Sequence, residues 1–187
     1  MKATIITIIT TLAWFTGPAV VTAQPDLHTT IQYEVPFGPV YPIWASSNLI
    51  QGSLALNDST AAVEKLDFSV PLNSFIGQNA NYLEWLGYSF TFPNLEFRTN
   101  KVINQGDGKY QVKGNLQFRG QFEPVTINYK REDTEDWITF NGSFTFNPRD
   151  FFISAPPFDL VPNRIPMTLN LVFSKADIQS ATAANGK

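Results

Sequence analysis

Nucleophilic catalysis by a serine or cysteine needs an imidazole or a comparable base within reach. The sequence holds one histidine, His28, and no cysteine. One imidazole alone sets up neither a proton relay nor a metal cage, so His28 reads as an exposed residue in the polar approach to the first strand. Without thiols there is no disulfide and no thiolate metal site. Glu132, Asp133, Glu135 and Asp136 form the dense carboxylate cluster of the chain. They lack the alternating Asp/Asn positions, central glycine and closing glutamate of a calcium loop. Like charges at that density prefer water, and the cluster reads as a hairpin tip. Gly106-Asp107-Gly108 lacks the strand-to-helix setting of a phosphate loop and reads as a turn. These residue types predict no catalytic site and no metal.

Two features remain that could hold a ligand. Arg149, beside Asp150, carries a planar donor fork suited to a quinone or phosphate head group at the mouth of a barrel. The same pair serves equally as a structural ion pair or loop anchor, and Arg119 carries the same ambiguity. The larger feature is aromatic. Of 187 residues, 16 are Phe, 6 Tyr and 4 Trp, against only 13 Lys and Arg. Trp85, Phe90, Phe92, Phe97, Phe118, Phe144, Phe146 and Phe173, with Leu54, Phe68 and Leu116, could line an apolar cavity of the kind that binds lipids. The alternative is a solid core in which the same side chains interdigitate at ordinary packing density. Residue types alone leave the two open.

The elements that must position these side chains have a period of two. Ile31-Tyr33-Val35, then Ile50 to Leu56, Leu66 to Leu72, Tyr88-Phe90-Phe92 and Leu95-Phe97 alternate with polar partners, which puts each apolar row on one face of a strand. Tyr110 to Phe118, Val125 to Tyr129, Ile138 to Phe146 and Ile165 to Phe173 continue the pattern. Pro36 to Pro42 is too rich in proline for a ladder interior. Asn57-Asp58-Ser59, Asn104 to Gly108, Arg119-Gly120 and Glu132 to Asp136 read as turns, and Gly142 marks a strand position or a bulge. The period changes between Asn79 and Gly87. That stretch predicts one short helix, with Asn79 as N-cap and Gly87 as stop. The tail after Ser174 shows no pattern and is expected to fray. The result is an all-β domain of about eight strands joined by hairpin-length turns, an antiparallel up-and-down barrel or a sandwich. Barrels of that size are filled by side chains or hold one small ligand.

The N-terminus predicts export. Met1-Lys2 precedes an apolar run from Ala3 to Phe15, Gly17-Pro18 breaks it, and the small residues of Val21-Thr22-Ala23 suit a signal peptidase. Residues 1–23 are expected to leave as a signal peptide and residues 24–187 to form one domain, periplasmic or secreted. The apolar run is shorter than the about 20 residues that cross a bilayer. The formal charge of −3 is spread along the chain, without the basic stripe that a phosphate backbone requires, which speaks against nucleic acid as a partner.

Gln111 to Ile127 reads QVKGNLQFRGQFEPVTI, with Gly114, Leu116, Gly120, Pro124 and Val125 at set intervals. Phe140 to Ile153 carries Asn147, Arg149 and Phe152 as Asn-x-Arg-x-x-Phe, Phe92 to Phe97 reads FPNLEF, and Gln51 to Leu54 reads QGSL. In this order the segments resemble the YceI-like family of polyisoprenoid-binding proteins. The resemblance implies a lipocalin-like antiparallel barrel, exported to the periplasm, enclosing a long isoprenoid chain. It implies no cofactor, unless a bound isoprenoid lipid or quinone is counted as one. Two departures fall near one end of the expected barrel. The family's Arg-Asp pair before the helix is replaced by Ser74 to Asn79, and its His-x-Gly by Pro36, Gly38 and Pro39. A structural or interaction protein with a filled barrel is the alternative function.

Overall fold

The computed structural model describes residues 20–22, 29–35, 43–57, 59–151, 162 and 164–185. Across most of the stretches where apolar and polar residues alternate, the chain is extended, because a strand sends successive side chains to opposite faces. The strands are β1 (Val20–Thr22), β2 (Thr30–Val35), β3 (Ile43–Ser47), β4 (Gln51–Leu56), β5 (Val63–Pro71) and β6 (Ile76–Gln78). After a helix follow β7 (Asn94–Gly106), β8 (Lys109–Phe118), β9 (Gln121–Asp133), β10 (Trp137–Phe146) and β11 (Ile165–Ser174). They make one sheet in the order β1-β4-β5-β7-β8-β9-β10-β11-β2-β3-β6, antiparallel throughout. The sheet curls into a half-barrel. Strands β7 to β11 are a simple meander. Along β8 the inward row is Tyr110, Val112, Gly114, Leu116 and Phe118, and along β10 it is Ile138, Phe140, Gly142, Phe144 and Phe146.

Among the described residues eleven strands replace the expected eight, and the plain up-and-down order is broken by β1, β3 and β6. Strand β3 follows the proline-rich segment and carries the small side chains of Ala45-Ser46-Ser47, which give little alternation. Strand β6 has three residues, all exposed, and offers no periodic signal. It pairs with β3 through Trp44↔Gln78 to Ser46↔Ile76, so the chain leaving β5 returns to the far side of the curl. A 3₁₀ turn at Leu72–Ser74 makes this crossing. There the Ser74 hydroxyl donates to the Pro71 carbonyl (2.6 Å) and lies 2.6 Å from the Ser47 hydroxyl. Strand β1 lies in the expected signal peptide. In the full chain it pairs with β4, Val21 opposite Leu54; the rest of that peptide, and His28, lie outside the described residues.

Helix α1 (Tyr82–Gly87) sits where the period changes, but its caps differ from expectation. Asn81 is the N-cap, without a side-chain bond, while Asn79 is left-handed (φ 56°) and its carbonyl accepts the Tyr82 N–H (3.2 Å). The stop is Tyr88, also left-handed (φ 51°), whose N–H bonds the carbonyls of Glu84 and Trp85. Gly87 is a packing position. A Cβ there would lie 2.4 Å from Leu72 Cδ1 and 3.0 Å from Phe118 Cε2. Tyr88 to Phe92 is a set of turns, not a strand, with the Thr91 and Phe92 N–H groups both bonded to the Tyr88 carbonyl. The tail does not fray directly after Ser174 but forms helix α2 (Lys175–Asn185). Its signal was Ser174 as N-cap, accepting the Asp177 N–H (3.4 Å), ahead of alanines that favour helix without needing an apolar stripe. Gly142 sits in unbroken register, opposite Tyr129 and Leu169, and there is no bulge.

Candidate ligand-holding interior

Alternation along six strands, β4, β5, β7, β8, β10 and β11, brings most of the expected wall together. Phe68 of β5 stacks on Phe97 of β7 with centroids 5.6 Å apart, and Phe144 of β10 comes within 6.3 Å of Phe68. Strands β5 and β10 are not neighbours in the sheet, so this contact crosses the interior. Toward the α1 end, Phe118 meets Phe146 edge-on at 4.9 Å, and Phe151 closes on both at 5.6 and 5.4 Å. Toward the other end, Phe140 touches Tyr110, Tyr129 and Phe173 at 6.1 to 6.3 Å. Leu54 and Leu116 are buried in the same cluster.

Two glycines on the inward strand rows, Gly114 and Gly142, make room for rings of the wall. A Cβ on Gly114 would lie 2.6 Å from Phe97 Cζ, and one on Gly142 would lie 2.4 Å from Tyr129 Cε1. Each ring therefore occupies the space that a side chain on the neighbouring strand would fill.

The remaining candidates are elsewhere. Trp85 is 62 % exposed and Phe90 fully exposed, so neither belongs to the inner wall. Phe92 is half-buried, its ring over Gly120. With exposed Tyr88 and Phe122, these side chains make an outer rim where Arg119 lies over the Tyr88 ring at 4.2 Å. Arg149 is exposed in a 3₁₀ turn, Pro148–Phe151. Asn147 builds that turn, accepting the Arg149 N–H (3.2 Å) and donating to the Asp150 carboxylate (2.7 Å). Asp150 is thus answered by Asn147, and the pair anchors the turn that carries Arg149. Phe152, the last residue of that motif, lies outside the described residues.

Sequence reasoning missed Phe140, Phe151, Tyr110 and Tyr129 as interior residues of the site. Three of them, Tyr110, Tyr129 and Phe140, stand on alternating strand rows, and that alternation is the signal. Phe151 follows the end of β10, where the period stops.

Burial dominates the electrostatics. The Tyr33 hydroxyl donates to the Ala80 carbonyl (2.9 Å), and burial pushes this phenol up to about 12. Burial also raises Tyr82 and Tyr129, the latter further through the Asp67 carboxylate. At the end away from α1, Arg131 forks onto Asp133, with Nε–Oδ1 2.7 Å and Nη2–Oδ2 2.8 Å, and its Nη1 donates to the Ala61 carbonyl (3.3 Å). Those bonds hold Asp133 below the usual carboxylate range and Arg131 above its own. Among the described residues no three His, Cys, Asp or Glu side chains gather as metal ligands, and no helix is long and apolar enough to cross a membrane.

A curled antiparallel sheet around an apolar, aromatic interior defines an all-β protein whose build is consistent with binding. A YceI-like domain matches residues 24–173, and the chain belongs to that family. No curated protein matches it. Its fold is similar to that of Burkholderia cenocepacia BcnA, with a TM-score of 0.67 over 81 % of this chain and 99 % of that one, at 16 % identity. A Campylobacter jejuni YceI protein superimposes with a TM-score of 0.58 over 67 % of this chain and 81 % of that one, at 14 % identity. At these identities the likeness is one of fold.

Proposed function

We propose that this is an exported binding protein that holds a long isoprenoid or similar apolar lipid inside the curled sheet, for carriage or sequestration in the periplasm, and that it catalyses no reaction. The observation that carries this reading is the single apolar interior shared by Leu54, Phe68, Phe97, Leu116, Phe118, Phe144, Phe146 and Phe173. Burying a CH₂ gains about 0.8 kcal/mol, so a long chain binds such a wall tightly without a polar contact. The signal-like N-terminus supports export.

A second reading, an interaction protein with a filled barrel, is favoured by the ring contact of Phe68 with Phe144 across the interior. Organic extraction of protein from its native host, followed by mass spectrometry, separates the two, with co-purified isoprenoid expected. The substitution Phe144→Trp sharpens it. In a carrier the added bulk is tolerated and lipid retention falls. In a filled barrel it overpacks and costs roughly 1–3 kcal/mol, with no lipid to lose. A lipid-free native protein whose Phe144→Trp variant melts much earlier ends the carrier reading.

A further inference from the structure

Tyr129 is the interior side chain that packing alone does not explain. It stands near the middle of the sheet on β9 and is 3 % exposed. Its hydroxyl is buried and finds no hydrogen-bond partner among the described residues. Buried hydroxyls are ordinarily bonded, and an unmade bond is a cost that phenylalanine at the same place avoids. Yet the ring is held with care. Gly142 opposite lacks the Cβ that would strike it, and Phe140 meets it edge-on at 88°. The orientation of the hydroxyl is therefore built into two strands.

We propose that the Tyr129 hydroxyl donates a hydrogen bond to an uncharged oxygen, an alcohol or a carbonyl, at the polar end of the bound lipid. It thereby selects such a lipid over a plain hydrocarbon and over a phosphate. The proposal rests on the carrier reading above. Burial and the Asp67 carboxylate both keep the phenol protonated, so it is a donor at every working pH. The same carboxylate, 3.9 Å from the largely exposed Arg98 guanidinium, works against a second anion at that spot. Arg131, two residues along the strand, has its guanidinium engaged by both oxygens of Asp133 and its charge is already answered.

The test titrates delipidated wild-type protein and Tyr129→Phe with solanesol, solanesyl phosphate and squalene. Retained ligand is measured by mass spectrometry after gel filtration. Solanesol is expected to bind the variant about tenfold more weakly, the size of one neutral hydrogen bond. Squalene should bind both proteins alike, and the delipidated variant should melt no lower than wild type. Equal solanesol binding by both proteins overturns the proposal, as does wild-type preference for the phosphate. Squalene bound without any head-group discrimination ends the role of Tyr129 and leaves the carrier reading standing. Binding of none of the three ends both. A crystal structure of the wild-type solanesol complex reads the contact without a substitution. The alcohol on the Tyr129 hydroxyl supports it, and a water there with the alcohol elsewhere overturns it.

Discussion

Two groups of aromatic side chains in this protein meet opposite surroundings. Phe97, Phe118, Phe144 and Phe146 stand on strands and are buried. Trp85, Tyr88 and Phe90 stand on α1 and the turns after it and face solvent. Composition does not distinguish the groups. On a strand, a single buried neighbour fixes which face every second residue takes. In Tyr88 to Phe92 the spacing also mimics a strand, but the left-handed Tyr88 and the two N–H bonds to its carbonyl turn the chain back on itself. Local backbone geometry, not hydrophobicity, sends those rings outward.

The division is sharpened first by truncating one ring from each group. Phe118 is fully buried against Phe146, Phe151 and Gly87, so Phe118→Ala is expected to cost about 3–5 kcal/mol in chemical denaturation. Phe90 is fully exposed, so Phe90→Ser should stay within about 0.5 kcal/mol of wild type and, on the carrier reading proposed above, leave lipid retention unchanged. A Phe90→Ser protein that melts as early as Phe118→Ala would erase the distinction between wall and rim. One that stays stable but retains less lipid would, on the carrier reading, place the rim in the binding site.

Much of the fold was legible because β7 to β11 obey one rule, with turn chemistry at Asp107-Gly108 and Arg119-Gly120 in left-handed geometry. The strands that escaped were those whose identity is set by partners, not by pattern. Strand β6 exists because β3 offers it an edge, and β3 itself is legible only from the register with β2. For the site, the inner wall followed from alternation. The exposure of Trp85 and the importance of Tyr129 did not, because a hydroxyl's lack of a partner is a property of the packed interior. Asn147 shows the same limit, since nothing in its spacing marks it as the partner of Asp150.

The smallest effect compares the α1 rim with the opposite end, where Arg131 forks onto Asp133. Those bonds hold the Asp133 carboxyl below its ordinary range. A carboxylate whose folded pKa is depressed adds stability that is present above its unfolded value, about 3.9. That contribution is lost as pH falls through the lower, folded value. Asp133 is 41 % exposed and Arg131 only 16 %, and solvent screening keeps an exposed pair to about 1 kcal/mol or less. Asp133→Asn is therefore expected to lower stability slightly at pH 7. It should also flatten the acid limb of the stability curve below about pH 4, where wild type loses the pair. Added salt should shrink the difference, because a partly exposed pair is screened. Thermal melts of both proteins between neutral and acid pH measure it. If the two curves stay parallel into acid, the fork contributes nothing that titrates, and this end of the sheet is closed by the packing of Tyr110, Tyr129 and Phe140 alone.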